Sequence, residues 1–161
     1  MKFWVSDSIV NLPGNLILKP AHLSTEEEFY HPSYNLKSAF SVVRALDLTK
    51  GLFNCLCRPQ RESGVSNHEL ISCAKSGVEG PRTVCCQTYA KKNIRVNTVA
   101  PGVVDTPLSS KILITKRHSM SAKKSMLGEI GKPKDISNMI SFFIDPENNW
   151  ITGQKFVVME V

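Results

Sequence analysis

The stretch Ile94-Arg95-Val96-Asn97-Thr98-Val99 constrains this chain more than any other. Four of its six residues are β-branched and Pro101-Gly102 closes it, so it reads as a strand ending in a turn. Similar short apolar runs alternate along the chain with segments of helical period. That alternation, with short connections, predicts an α/β fold in which helices cover a parallel sheet.

The remaining elements follow from spacing and breakers. Ser8-Ile9-Val10-Asn11 reads as a short buried strand stopped by Leu12-Pro13-Gly14. Ser24-Thr25-Glu26-Glu27 fits a capping box with Ser24 as N-cap and Glu27 reaching back, and Pro32 ends that turn. A second helix is expected from about Asn35 to Leu46, and a second strand over Leu52–Cys57. Ile71, Ala74, Val78, Cys85 and Tyr89 trace one face of a helix from about Glu69 to Lys91, with a kink expected at Pro81. Pro133 and Asp135 suit a helix start, and Ile136, Met139, Ile140, Phe143 and Ile144 give that helix its apolar face. Phe156-Val157-Val158 reads as the last strand.

Composition narrows the class. At 161 residues with 42% apolar and 21% charged residues, the chain suits one domain and excludes a wholly disordered or collagen-like protein. No run approaches the roughly 18–20 apolar residues of a membrane span, and Phe3-Trp4-Val5 is too short for the core of a signal peptide. A cytoplasmic protein with no membrane contact is the expectation. Cys55, Cys57, Cys73, Cys85 and Cys86 make an odd set without C-x-x-C spacing, which argues for reduced thiols rather than zinc or disulfides. The net charge of +6 is concentrated between Lys91 and Lys134, where ten Lys/Arg face only Asp105 and Glu129. That stretch has no interleaved aromatics, so it reads as a solvated surface and implies no nucleic-acid partner.

Four blocks carry a family resemblance. They are Lys75-Ser76-Gly77-Val78-Glu79-Gly80, Asn93 through Pro107, Gly131-Lys132-Pro133 with Asp135-Ile136, and Trp150-Ile151-Thr152-Gly153-Gln154. In order and spacing they resemble the C-terminal half of the short-chain dehydrogenase/reductases, single-domain Rossmann oxidoreductases. Upstream, Asn35-Leu36-Lys37-Ser38-Ala39-Phe40 is similar to the helix bearing the family's structural asparagine. Asn11-Leu12-Pro13-Gly14 resembles an altered Asn-Asn-Ala-Gly turn.

The resemblance implies NAD or NADP as cofactor, and carbonyl reduction or alcohol oxidation by hydride transfer. It places Lys75 and Asn35 at catalytic positions, and Asn11, Lys75, Pro101, Gly102, Val104 and Thr106 at cofactor-binding ones. In the family a tyrosine four residues before the lysine exchanges a proton with the substrate oxygen, and a serine on the preceding strand orients the carbonyl. Here those positions fall on Ile71 and Cys57. Ile71 has no proton to give, and a thiol donates only a weak hydrogen bond. His68 lies three residues before Ile71, on another side of the helix. The family's G-x-x-x-G-x-G phosphate turn is not found either, because Gly14 is the first glycine and Gly51 the next. In a family sheet ordered 3-2-1-4-5-6-7 the chain starts at the fourth strand. Residues 1–161 are then expected to form a single partial, incomplete Rossmann-like parallel sheet with flanking helices, the N-terminal strands and Gly-rich turn absent.

Each residue also has a plainer reading. Asn35 stands either as an N-cap or as a water-holding catalytic residue, and Lys75 as a cofactor contact or a cleft lysine. Cys85-Cys86 reads as core. Two functions remain in view: a catalytically impaired family oxidoreductase, and a non-catalytic interaction protein. The second would form a homo-oligomer or associate with a full-length relative.

Overall fold

The computed structural model describes residues 8–45, 52–56, 66–113 and 129–158. Its centre is the strand foreseen above, β3 (Val96–Pro101), in which every residue from Val96 to Ala100 is buried. β2 (Leu52–Leu56) pairs with one edge of it and β4 (Lys155–Val158) with the other, while β1 (Ser8–Asn11) pairs with β2. All three pairings are parallel, and the sheet order is β1-β2-β3-β4.

Strand alternation sends Val96 and Ala100 to one face of β3 and Asn97 and Val99 to the other. On the first face they meet Ala39, Val78, Cys85 and Ile94, with Leu36, Val43 and Tyr89 packed around them. That layer is supplied by α1 (Glu26–Ala45), α2 (Glu69–Glu79) and α3 (Pro81–Thr88). On the second face Val99 meets Ile136 and Phe143 of α5 (Pro133–Ile144), backed by Ile151, Phe156 and Val158. A short α4 (Pro107–Leu113) precedes it. Strand order advances in one direction while the covering helix changes face after β3. The third crossover therefore has the opposite hand to the first two.

The segment before β4 is stitched to β3 by side chains. Asn97 is wholly buried; its Nδ2 donates to the Ile151 carbonyl at 2.9 Å and its Oδ1 accepts from the Gln154 N–H at 3.1 Å. The Val96 N–H donates to Thr152 Oγ1, and the Gly153 N–H to the Val96 carbonyl. Arg95 reaches the end of α5, donating to the Phe143 and Asn148 carbonyls at 2.8 Å each. A cation there suits the negative end of the helix, although burial pulls the guanidinium below its ordinary pKa.

Several boundaries differ from those expected. Thr25, not Ser24, caps α1: Thr25 Oγ1 accepts the Glu28 N–H and Glu28 Oε2 accepts the Thr25 N–H. Ser24 is unavailable because its hydroxyl donates to the Pro20 carbonyl, closing a 3-10 turn over Ala21–Leu23. The hydrogen bond from Lys19, with further contributions from the Thr25 N–H and the Lys19 charge, holds the Glu28 carboxyl below the usual carboxylate range. Pro32 does not end a turn; it lies inside α1, so the two expected helical pieces are one helix. Its ring removes one hydrogen bond, to the Glu28 carbonyl, but it is fully buried beside Asn35 and Ala39 on the same helical face. Asn35 is consequently mid-helix and is not an N-cap.

Pro81 breaks the helix it was expected to kink. Gly80 keeps helical dihedrals (φ −52°, ψ −49°), and Pro81 becomes the first residue of α3, where its missing N–H costs nothing. The helical path finishes in a 3-10 turn, Ala90–Lys92, closed by Asn93 at a left-handed φ of 57°. Cys85 lies in the core, where burial pushes its thiol pKa up and neighbouring Cys86 adds to the effect. No helix among the described residues is long and apolar enough to cross a membrane. None of their His, Cys, Asp and Glu side chains groups into a metal-holding cluster.

Two substitutions test this arrangement by chemical denaturation. Phe143→Ala removes a fully buried ring that packs 4.7 Å from Phe156 and should cost about 3–5 kcal/mol. Asn97→Ala leaves the Ile151 carbonyl and the Gln154 N–H without their partner and should cost about 2–4 kcal/mol.

Candidate functional site

Parallel α/β sheets bind ligands outside the carboxyl ends of their strands, where the connecting loops diverge. Here a cavity of about 490 Å³ opens at that end of β1 and β3. The loop after β1, residues 12–16, forms one wall and the turn after β3, residues 101–106, forms its floor. α2 contributes Ile71 and Lys75, α4 contributes Leu108, and α5 contributes Ile136 and Ile140.

Each wall is positioned by a local device. Asn35 is 2% exposed and holds the first loop by two bonds: its Oδ1 accepts the Asn15 N–H at 2.8 Å and its Nδ2 donates to the Asn15 carbonyl at 3.1 Å. Asn15 Oδ1 in turn accepts the Leu16 N–H. The turn after β3 is braced by a parallel bridge between Val104 and Gly131, in which Gly131 N–H donates to the Val103 carbonyl and Asp105 N–H to the Gly131 carbonyl. Thr106 and Ser109 cap α4 reciprocally, Thr106 N–H donating to Ser109 Oγ and Ser109 N–H to Thr106 Oγ1. Across the opening the loop and α4 approach closely, since a Cβ added to Gly14 would lie 3.1 Å from Leu108 Cδ2.

Ile71 and Lys75 are one helical turn apart, and both line the cavity. Ile71 is 4% exposed and Lys75 half-buried. Lys75 is the single charged side chain among the described lining residues. The structure thus brings together six residues singled out in the sequence: Lys75, Ile71, Pro101, Gly102, Val104 and Thr106. Asn35 acts on the cavity through Asn15 rather than by lining it. Asn11 points at α1, where its Nδ2 donates to Ser38 Oγ at 3.4 Å, and is not among the described lining residues. His68 precedes α2 and bonds the Ser66 carbonyl, away from the cavity. Cys57 lies outside the described residues.

Asn15, Leu108 and the cavity-facing role of Ile136 and Ile140 were not anticipated. The helical period of Ile136 and Ile140 was legible, but it marks a buried face without saying whether a helix or a void meets it. Asn15 carried one weak signal, its place directly after a Pro-Gly turn.

Comparison with known proteins agrees with this architecture. A short-chain dehydrogenase/reductase family model, described as enoyl-(acyl carrier protein) reductase, matches residues 9–159. A tropinone reductase homologue of Arabidopsis thaliana is 29% identical over 159 residues, 94% of this chain and 59% of its own length. The 3-oxoacyl-[acyl-carrier-protein] reductase FabG of Thermotoga maritima is 37% identical over 81 residues, half of this chain and 32% of its own. Among solved structures, a 4-hydroxyisoleucine dehydrogenase mutant complexed with NADH and succinate superposes with a TM-score of 0.87 at 23% identity. It is covered to 67%, and this chain to 96%. An angucycline C-6 ketoreductase with bound NADP gives 0.86, also at 23% identity, with 61% and 96% covered. These structures share the fold, a Rossmann-like α/β sheet with flanking helices, and the chain spans about 60% of the length of the Arabidopsis relative. From Ile9 to near its end, in sequence and in fold, this chain belongs to the short-chain dehydrogenase/reductase family.

Proposed function

We propose that the cavity is the nicotinamide and substrate end of an NAD(P) site, in a family oxidoreductase homologue with little or no carbonyl-reducing activity. The carrying observation is Ile71, buried in the cavity wall one turn before Lys75. The neighbouring structures with bound NADP and NADH support the choice of cofactor class.

The residues present suit one end of such a cofactor and not the other. The Pro101–Val104 turn and the Lys75 ammonium border a void that a flat, partly apolar ring can enter. A pyrophosphate needs several N–H donors at a glycine-rich helix start, and the described lining residues include no such run. When bound, the nicotinamide supplies or accepts the hydride. Lys75 would hold the cofactor's ribose hydroxyls, the Asn35–Asn15 pair would keep the loop wall in place, and apolar Ile136 and Ile140 would exclude water. A carbonyl oxygen gaining charge at this wall would meet the Ile71 methyls, which donate no proton. Loss of a general acid lowers a rate by about 10²–10⁴-fold. We place such a protein in the cytoplasm, where thiols are kept reduced.

A second reading is association with another copy or with a full-length relative. It is favoured by the half-exposed aromatic side chains Phe29, Tyr30, Tyr34 and Phe40 on α1. For self-association, light scattering of the 161-residue chain should give a dimer mass, and a monomer at all concentrations would remove that half of the reading.

The catalytic reading is tested by a ketone panel with NADH and NADPH. The unaltered chain should show no turnover; saturable micromolar NADH or NADPH binding in a direct titration supports the cofactor site, and its absence together with a dimer mass favours the association reading. Ile71→Tyr should also stay inactive, because the phosphate turn is not among these 161 residues. Turnover by the unaltered chain would overturn the role given to Ile71. Turnover gained by Ile71→Tyr would show that the proton donor was the single defect.

A further inference from the structure

α1 carries aromatic rings on the side turned away from the core. Pro32, Asn35 and Ala39 form its buried side. At about 100° per residue, Tyr30, Tyr34 and Lys37 fall opposite them, with Phe29 and Phe40 along one flank. The four rings are 50–59% exposed, and Phe29 and Tyr30 already meet edge to face at 6.1 Å. Clustered rings left in water mark a contact surface, where single exposed ones do not. The same face is charged at its two ends. Glu26 and Arg44, both exposed, are separated by about five whole turns and so lie on one side of the helix, level with the rings. Tyr30 Oη donates to Glu26 Oε1 at 3.3 Å, which holds the carboxylate on that side.

From this we infer that α1 packs antiparallel against α1 of a second copy, about a two-fold axis level with Asn35. Glu26 and Arg44 are equally far from position 35 along the helix, and so are Tyr30 and Phe40. One axis therefore sets Glu26 opposite the partner's Arg44 and Tyr30 opposite the partner's Phe40, and each contact recurs in reverse. A parallel pair would bring like charges together at both ends. The four half-exposed rings offer roughly 400 Å² per copy, so with their flanking side chains the pair approaches the ~1,000 Å² of a specific interface. Being exposed, the end charges fix orientation more than strength. The inference rests on the association reading above and gives it a face and a geometry.

Sedimentation equilibrium of the 161-residue chain over a range of concentrations tests it. The unaltered chain should dimerise. Phe40→Asp, at a half-exposed position, should leave a monomer whose circular dichroism is unchanged. Glu26→Arg and Arg44→Glu each set like charges at both ends of the pair and should weaken the dimer roughly tenfold. Combining Glu26→Arg with Arg44→Glu restores opposite charges and should return the dimer to near its unaltered strength. Both changes oppose the helix dipole, so their effects on helix stability add in the double variant, and only pairing between copies makes it the stronger dimer. A monomer at every concentration would overturn the inference, as would a dimer indifferent to Phe40→Asp or a double variant no stronger than the single ones. The first result removes self-association altogether, while the other two leave association through a different face.

Discussion

Burial of β3 from Val96 to Ala100 is the constraint on which the other elements depend. A strand covered on both faces needs two apolar layers and leaves no water for its backbone. Val96 and Ala100 recruit the α1–α2–α3 layer, while Val99 recruits α5. Asn97 is the polar exception on the second face. Because it is fully buried, it must spend its amide, and it does so by fixing the backbone of residues 151 and 154. That bond sets the approach of β4, whose pairing follows one residue later. The change of covering face after β3 is therefore anchored by a side chain rather than by loop length.

The cavity inherits its shape from the same frame. β1 and β3 end at the same side of a parallel sheet, so their loops face each other and α2 closes the gap between them. One turn of α2 places positions 71 and 75 side by side on the void. In an oxidoreductase of this family that pair would be a proton donor and the cation that tunes it. With isoleucine at position 71 the same geometry yields a hydrocarbon wall beside Lys75, the one charged residue among the described lining residues. Fold and chemistry are separable here, since nothing about the backbone needs a hydroxyl at position 71.

Local rules went astray where a tertiary contact outweighed them. Ser24 has the right chemistry for a cap, yet the carbonyl of Pro20 takes its hydroxyl and Thr25 takes the role. Pro32 has the right chemistry for a helix end, yet its buried ring sits in the first two turns of α1, where only one backbone bond is lost. Asn35 was open to two readings; its place inside α1 removes the N-cap one, and its two bonds to Asn15 clamp the cavity loop. In contrast Pro81, lying after Gly80 at a helix surface, behaved as proline rules require and began a new helix.

By itself the sequence determined the strands, the alternating α/β order, the family and the loss of a hydroxyl at position 71. These are carried by residue type and by spacing along one chain, which burial pattern and steric limits translate directly. Tertiary structure alone decided that Asn35 acts through Asn15 and that Asn11 turns to Ser38 instead of the cavity. It also decided that Thr106, Ser109 and Ser137 spend their hydroxyls internally and that Ile136 and Ile140 border a void. Those outcomes depend on distances between segments remote in sequence, and a hydrogen bond or a cavity exists only once packing has set them.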